Sequence, residues 1–387
     1  MEGVPKGIGQ FSRIIGLDLA KKTFKGCILT EEKNFEDRKI ITGEMDPEGR
    51  MHFITGMVKA GDLVAMEGGT SSFNFAREIM EYSEAAVVVL NPGKLHKAFE
   101  SQIKTDRLDA VRIAHYVRDT KPSSWCAVEV PTEEESELRA VINSYNLAKK
   151  DRTMNINKLH ATFNQNGIPF LKKSDLQDND SRIGNIARYL SGMAMQDACL
   201  TEARITLIER QLSEYIGMMR QALMSHPEVS LVWLSFPGIR TIVAASLLAY
   251  IGDGSRFFSA SQLRNYVGLV PMVQQSGDYS FQGNVSWRGC KPVRKSIMQS
   301  AWSIESLKAD CPLRDEWDSL ASRHKRKSAI AVHIANKILS LGWVLLRKKE
   351  LYNGFGDYSR LMRKLREEGL GAIDCSMFPE LMASLNP

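Results

Sequence analysis

The sequence predicts an α/β domain at the N-terminal end, a long helical arm behind it, and a mainly α C-terminal domain. Three observations carry this division. Short apolar runs alternate with amphipathic stretches up to about residue 128; between about 132 and 223 strand-like runs vanish and apolar residues recur at helical spacing; from about 231 onward apolar helical segments are separated by Pro-Gly and Gly-Ser turns. With 387 residues, 43% of them hydrophobic, the chain is long enough for two or three cores. The expected domains are 1–128, 129–230 and 231–353, with 354–387 left as a mixed tail without an assigned role.

The opening reads as a three-strand meander, 13–20, 23–29 and 36–42, whose short connections suit antiparallel neighbours. A helix is expected over 47–59, with Pro47 in its first turn. A strand over 62–67, a helix over 72–82 and a buried strand over 85–90 follow, the last stopped by Asn91-Pro92-Gly93. A meander followed by alternating helix and strand is the element order of the ribonuclease H fold. In the arm, Leu138, Ile142, Ile156, Leu159 and Phe163, then Leu200, Ile205, Ile208, Leu212 and Met219, keep helical spacing on either side of a polar loop near 174–182. The pattern suits a helical hairpin or coiled coil, or else a packed helical subdomain, because its heptads are not strict. Beyond it, Phe236-Pro237-Gly238-Ile239-Arg240 separates two apolar helical stretches, and backbone amides at such a helix start can meet a DNA phosphate. A Gly- and Ser-rich turn over 275–280, a basic helix from about Lys291 and a last long helix over 328–351 complete the reading.

The net charge of +6 is mild, but Lys and Arg gather locally. The clusters are Lys94/Lys97/Lys104/Arg107, Arg288/Lys291/Arg294/Lys295, Arg323 with Lys325, Arg326 and Lys327, Arg347-Lys348-Lys349, and Arg360/Arg363/Lys364/Arg366. Singly each reads as a solvated helix face; together they favour a polyanion. From these clusters and the Pro-Gly turn, the expected nucleic-acid contacts are Lys104, Arg107, Gly238, Arg288, Lys291, Arg294, Arg323, Lys325, Arg326 and Lys327. The six cysteines are widely spaced and show no zinc-finger pattern, as expected of buried thiols in a reducing cytoplasm. The apolar runs look too short to span a bilayer, so no membrane partner is expected.

Four acids stand out. Asp18 lies in an apolar strand, where a carboxylate is costly to bury unless paired or bound to a cation. Glu67 ends another apolar strand that can neighbour the first, and Asp106 and Asp109 share one helical face. Four hard oxygen donors of this kind suit Mg²⁺ or Mn²⁺. Each acid also has a plainer reading: Asp18 and Glu67 as strand-end acids, Asp106 as a helix N-cap with Asp109 in the first turn. Gln275-Ser276-Gly277-Asp278 reads on its own as a turn, and no Ser-His-Asp arrangement accompanies it.

Two strings are specific in combination. Lys104-Thr105-Asp106-Arg107-Leu108-Asp109-Ala110 joins Ile15-Gly16-Leu17-Asp18, Glu67-Gly68 and Asn91-Pro92; Tyr266-Val267-Gly268-Leu269-Val270-Pro271 with Ser276-Gly277 joins Phe236-Pro237-Gly238-Ile239, Ile251-Gly252-Asp253, Arg256-Phe257 and Arg288-Gly289. Over nearly its whole length the chain resembles the DEDD transposases of insertion sequences, a group that includes pilin-gene invertases and RNA-guided recombinases. Cys290 departs from the polar residue more usual beside that glycine. The resemblance implies a Holliday-junction-resolvase-like metal domain with Asp18, Glu67, Asp106 and Asp109 as ligands, and a transposase domain with Ser276 as the nucleophile that forms a phosphoserine link to DNA. It further implies double-stranded DNA as substrate, a noncoding guide RNA, and a homo-oligomer in which the metal domain of one subunit completes the serine site of another. Two other functions fit the residues: a junction-resolving nuclease using the acids alone, and a noncatalytic nucleic-acid-binding protein.

Overall fold

In the computed structural model, which describes residues 11–30, 39–98, 106–276, 279–285, 289–308, 310–323, 325–354 and 356–385, the chain divides into two units, Met1–Glu133 and Glu134–Pro387. The first is built on strands β1 (Arg13–Leu19), β2 (Thr23–Thr30) and β3 (Lys39–Glu44), then α1 (Pro47–Met57), β4 (Asp62–Glu67), α2 (Ser72–Tyr82), β5 (Ala86–Leu90), α3 (Pro92–Ala98), α4 (Asp106–Asp119) and the short β6 (Ala127–Val128). They form a six-stranded mixed sheet of order β3-β2-β1-β4-β5-β6. β1, β2 and β3 pair antiparallel, whereas β1, β4 and β5 run parallel. Asn91-Pro92-Gly93, expected only to stop a strand, also opens α3, because Pro suits a helix's first turn and Asn91 accepts the Lys94 amide on its side chain.

The central strand β1 is buried on both faces. Ile15 and Leu17 join Phe24, Phe53 and Phe75 on the side covered by α1 and α2. Ile14 joins Leu63, Ala65, Val88 and Leu90 beneath Ala110, Ile113, Ala114 and Val117 of α4. Both layers follow from the two-residue period of the strands. At the start of β1, Arg13 forks onto Asp62 opposite it, Nε to Oδ1 at 2.9 Å and Nη2 to Oδ2 at 2.6 Å. This charge-assisted pair, with Asp62 fully buried, pins the register of β1 against β4.

The second unit opens with α5 (Glu133–Gln165), α6 (Asn179–Tyr189) and α7 (Gly192–Ser225). α5 and α7, of 33 and 34 residues, are each about 50 Å long. Pairs at Glu134–His226, Arg152–Glu209 and Lys158–Asp197 show that they run antiparallel, as a helical hairpin. Arg182 of α6 is wholly buried and holds Glu202 and Glu209 of α7. The remaining elements are α8 (Pro227–Leu234), α9 (Thr241–Ile251), α10 (Ala260–Val267), β7 (Pro271–Ser276), β8 (Tyr279–Val285), α11 (Lys291–Glu305), α12 (Pro312–Ser322), α13 (Lys327–Lys348), α14 (Tyr358–Glu367) and α15 (Pro379–Ala383). One core runs through them and includes Leu138 and Ile142 of α5.

Five sequence expectations change here. The third strand lies over Lys39–Glu44, and residues 31–38 are outside the described residues. The region around 275–280 is a β-hairpin within the largely helical unit, signalled by a two-residue Gly277-Asp278 break between Val273-Gln274-Gln275 and Tyr279-Ser280-Phe281. The segment beyond 353 is no loose tail: Leu361, Leu365, Leu370, Ile373, Leu381 and Leu385 belong to the same core as α9. Further, α13 is long and apolar enough by composition to cross a membrane, contrary to the sequence estimate. Its Ile330, Ile334 and Ile338 are buried against neighbouring helices. All six cysteines are free; Cys27, Cys311 and Cys375 are buried, Cys126 and Cys290 partly so, and Cys199 is exposed, so burial holds for only part of the set.

Candidate functional site

The carboxylates of the first unit owe their placement to the pinned register. β1 and β4 pair from Arg13↔Asp62 to Leu17↔Met66. One step further, Asp18 and Glu67 stand abreast at the carboxyl ends of two parallel strands. They continue the series Ile14-Gly16-Asp18 and Leu63-Ala65-Glu67, so both fall on the face that α4 covers. Each is half-buried. Open parallel sheets place their ligands outside such carboxyl strand ends.

Gly16 brings α4 to this corner. A Cβ at Gly16 would lie 2.4 Å from the Ala110 carbonyl oxygen and 2.5 Å from the Ala114 amide. Only glycine lets the helix backbone rest on the strand. Asp109 adjoins that contact and Asp106 opens α4 one turn earlier. Asp109 is held by Arg112, Nη1 to Oδ1 at 3.1 Å. Among the described residues, no three His, Cys, Asp or Glu side chains are gathered tightly enough to hold a metal ion. The donor chemistry fits a hard divalent cation, and the Arg112 contact engages one oxygen of the Asp109 carboxylate. Sequence reasoning missed Arg112, although its spacing three residues after Asp109 was visible.

In the second unit Ser276 is the last residue of β7 and pairs with Tyr279, at the end of a two-stranded ribbon far from Pro271 and Val285. The other end of the ribbon is fixed by glycines. Gly268 caps α10 in the left-handed region, φ 77°, with its amide bonded to Arg264 and Asn265 carbonyls. Gly289, φ 128°, crosses it so closely that a Cβ there would lie 2.7 Å from the Gly268 nitrogen. The Cys290 amide donates to the Tyr266 carbonyl at 2.9 Å, and Asn336 of α13 donates to Leu269 at 3.0 Å. The Arg256 guanidinium lies 4.7 Å from the ring centroids of both Phe257 and Tyr266. Burial pushes the Tyr266 hydroxyl up to about 12, against the opposing charge of Arg256. The Arg256-Phe257, Tyr266-x-Gly268 and Gly289 strings are thus the anchor of the serine ribbon.

The Pro-Gly turn has a different setting from the one its sequence suggests. Gly238, φ 74°, packs on α11, where a Cβ would meet Ser303 Oγ at 2.2 Å, and its carbonyl accepts Ser300 Oγ. At the start of α9 the Thr241 amide and hydroxyl donate to Glu368 at 3.0 and 2.8 Å, and Arg240 pairs with the same carboxylate. Glu368 therefore already takes the helix-start amide that a phosphate was expected to meet. Beside it, the half-buried Lys364 of α14 donates to the Leu234 and Phe236 carbonyls. Burial pulls this ammonium down to about 7, opposed by Glu368. Lys364, grouped by its sequence with a basic cluster, instead clamps this turn, and Glu368 drew no reading, because the contacts span well over a hundred positions.

Of the remaining expected contacts, Lys291 is exposed and Arg294 half-buried on α11, and Arg323, Lys325, Arg326 and Lys327 are exposed around the start of α13. Lys327 pairs with Glu305 at 2.5 Å. Arg107 lies on α4; Lys104 and Arg288 lie outside the described residues.

Comparison with known proteins converges on one family. A model described as Transposase IS116/IS110/IS902 family matches residues 232–314, and a DEDD transposase model matches residues 15–167. Similar proteins include the transposase for insertion sequence element IS1328 of Yersinia enterocolitica, 24% identical over 75% of this chain and 85% of its own length. The pilin gene-inverting protein of Moraxella bovis is 24% identical over 88% of this chain and 97% of its own. The transposase for IS1111A of Coxiella burnetii is 22% identical, covering 88% and 91%. The two matched segments hold the acidic corner and the anchor of the serine ribbon, and the chain belongs to the IS110 family of transposases, enzymes that cleave and rejoin DNA.

Proposed function

We propose that the chain is a DNA recombinase in which a divalent ion on Asp18, Glu67, Asp106 and Asp109 assists Ser276 in attacking a DNA phosphodiester. The observation that carries this reading is the alignment of Asp18 and Glu67 on the α4 face of neighbouring strand ends. The first unit is then a ribonuclease H-like metal domain, the α5–α7 hairpin an arm for assembly, and residues from 231 onward the transposase domain. The ion, Mg²⁺ or Mn²⁺, would stabilise charge on the phosphate and lower the cost of ionising the attacking hydroxyl. Ser276 Oγ bonds to phosphorus, one bridging P–O bond of the DNA breaks, and the serine's proton is balanced on the released DNA hydroxyl. The reverse step on another strand end rejoins DNA without an outside energy source.

Lys104, Arg107, Arg288, Lys291, Arg294, Arg323, Lys325, Arg326 and Lys327 serve this reading as phosphate contacts for DNA and a noncoding guide RNA in the cytoplasm. Gly238 serves it by shaping the turn between α8 and α9. Exposed Met193, Leu200 and Leu207 recur every seven residues along α7, which supports a homo-oligomer formed through the arm. The test is to stop a strand-exchange reaction with denaturant and map any DNA attached to protein. The expected result is a nucleotide on Ser276, absent from Ser276→Ala, which still binds DNA. Normal exchange by Ser276→Ala, or cleavage with no attached DNA, would overturn the assignment.

A further inference from the structure

The first turns of α11 and a turn of α5 present cations to one another. On α11, Lys291, Arg294 and Lys295 share a face at i, i+3 and i+4. Together with Leu269, Val285, Met298 and Val332 they line a cavity of about 410 Å³. Leu269 and Val285 flank the anchored end of the serine ribbon, so this cavity opens at its base. On α5, Asn146, Lys149 and Lys150 also share a face, and the Lys295 ammonium donates to Asn146 Oδ1 at 2.8 Å. That bond ties the two helices' basic faces together.

We propose that Lys149 and Lys150 of α5 join Lys291, Arg294 and Lys295 of α11 in one cleft that holds a nucleic-acid phosphodiester backbone beside the base of the serine ribbon. Among the described residues, no carboxylate forms an ion pair with Lys149, Lys150, Lys291 or Lys295. Four lysines held near one another without a carboxylate partner raise the energy of the free protein, and an anion relieves it. Partial burial and the charges of Lys149 and Lys150 pull the Lys295 ammonium down. A run of phosphates matches two cationic helical turns better than a single small anion does. Leu269, Val285 and Val332, from elements other than α11, give the cavity an apolar wall that suits sugar and base faces. Sequence clustering pointed to α11 alone; the contribution of α5, about 140 residues earlier, comes from the fold.

This inference builds on the recombinase reading but is tested by binding, which needs no catalysis. Full-length protein is titrated against a 25-base-pair duplex DNA and, separately, a 25-nucleotide RNA, across 0.05–0.3 M salt. Three variants are compared: Lys149→Ala/Lys150→Ala/Lys295→Ala, the same positions changed to Arg, and Lys172→Ala/Lys173→Ala/Arg210→Ala on the arm, which removes equal charge elsewhere. The first should weaken binding on the order of tenfold at 0.15 M salt and reduce the duplex salt slope by about 2–3. The Arg variant should bind like the parent, which excludes misfolding as the cause. A loss confined to one probe identifies DNA or RNA as the occupant. Equal effects of the cleft and arm triples, or an unchanged salt slope, would overturn the proposal. An absent Ser276 adduct with these binding effects intact would instead remove the chemistry and leave the cleft standing.

Discussion

In the first unit the acids stand on β1 and β4, strands buried on both faces and locked by the Arg13–Asp62 fork. In the second, Ser276 ends a two-stranded ribbon whose order comes from one end, where Gly289 crosses Gly268. The acidic corner is thus part of a packed layer, and a side chain there can shift only by rotamer. A two-stranded ribbon is marginal by itself and takes its position from its anchor. On the reading proposed above, carboxylates that stabilise charge gain from a rigid floor, and a serine nucleophile gains from standing at the end of a ribbon, where it can reach a DNA strand.

The largest effect that tests this contrast is catalytic. Asp18→Asn and Glu67→Gln should each slow metal-dependent strand cleavage by roughly a hundredfold or more, while thermal unfolding stays close to the parent's. Wild-type cleavage rates in Glu67→Gln would show that its place beside Asp18 is only structural. Mixing Asp18→Asn with Ser276→Ala should recover part of the activity if two subunits build each site, and complete inactivity of the mixture would confine the site to one chain.

Next come the two close-approach glycines. Gly16→Ala and Gly289→Ala should each destabilise by about 1–3 kcal/mol, because an added methyl meets backbone that can move only with its element. Their functional signatures should differ. Gly16→Ala should raise the Mn²⁺ concentration needed for half-maximal cleavage, and Gly289→Ala should lower the adduct yield at saturating Mn²⁺. Identical signatures would erase the distinction between a floor and an anchor.

The smallest effect concerns the α14 clamp on the turn between α8 and α9. Lys364 titrates near 7 in the folded chain and at 10.5 when unfolded. The unfolded state therefore binds more protons between these values, and stability should rise with pH through that window. A gain of about 1 kcal/mol between pH 7 and 8 is expected for the second unit, and Lys364→Met should abolish it. Above pH 10 the raised Tyr266 reverses the sign, since the folded state then holds the extra proton. A flat profile from pH 7 to 9 would show that the two carbonyl contacts offset the burial of the charge.

Much of the first unit was legible because its signals are local. β4 and α2 fall where the alternating and helical runs place them, and the acids sit within strings recognisable without coordinates. The β7–β8 hairpin was missed because Gly and Ser dominated the reading of 275–280 and hid the alternation on either side. α14 was missed because its Leu361 and Leu365 are few, and only the hollow they fill shows that they are core.

By itself the sequence determined which residue types the chemistry has available: carboxylates at strand ends, a serine beside a glycine break, and lysines in helical turns. Those depend on period and spacing, which act over a few residues. The tertiary structure decided who meets whom. The Arg13–Asp62 fork sets Asp18 beside Glu67, Glu368 takes the Thr241 amide, and Asn146 draws α5's lysines to α11. Each joins positions about 50 to 150 apart, and at that separation only the packing of whole elements, with the loop entropy it overcomes, fixes a contact.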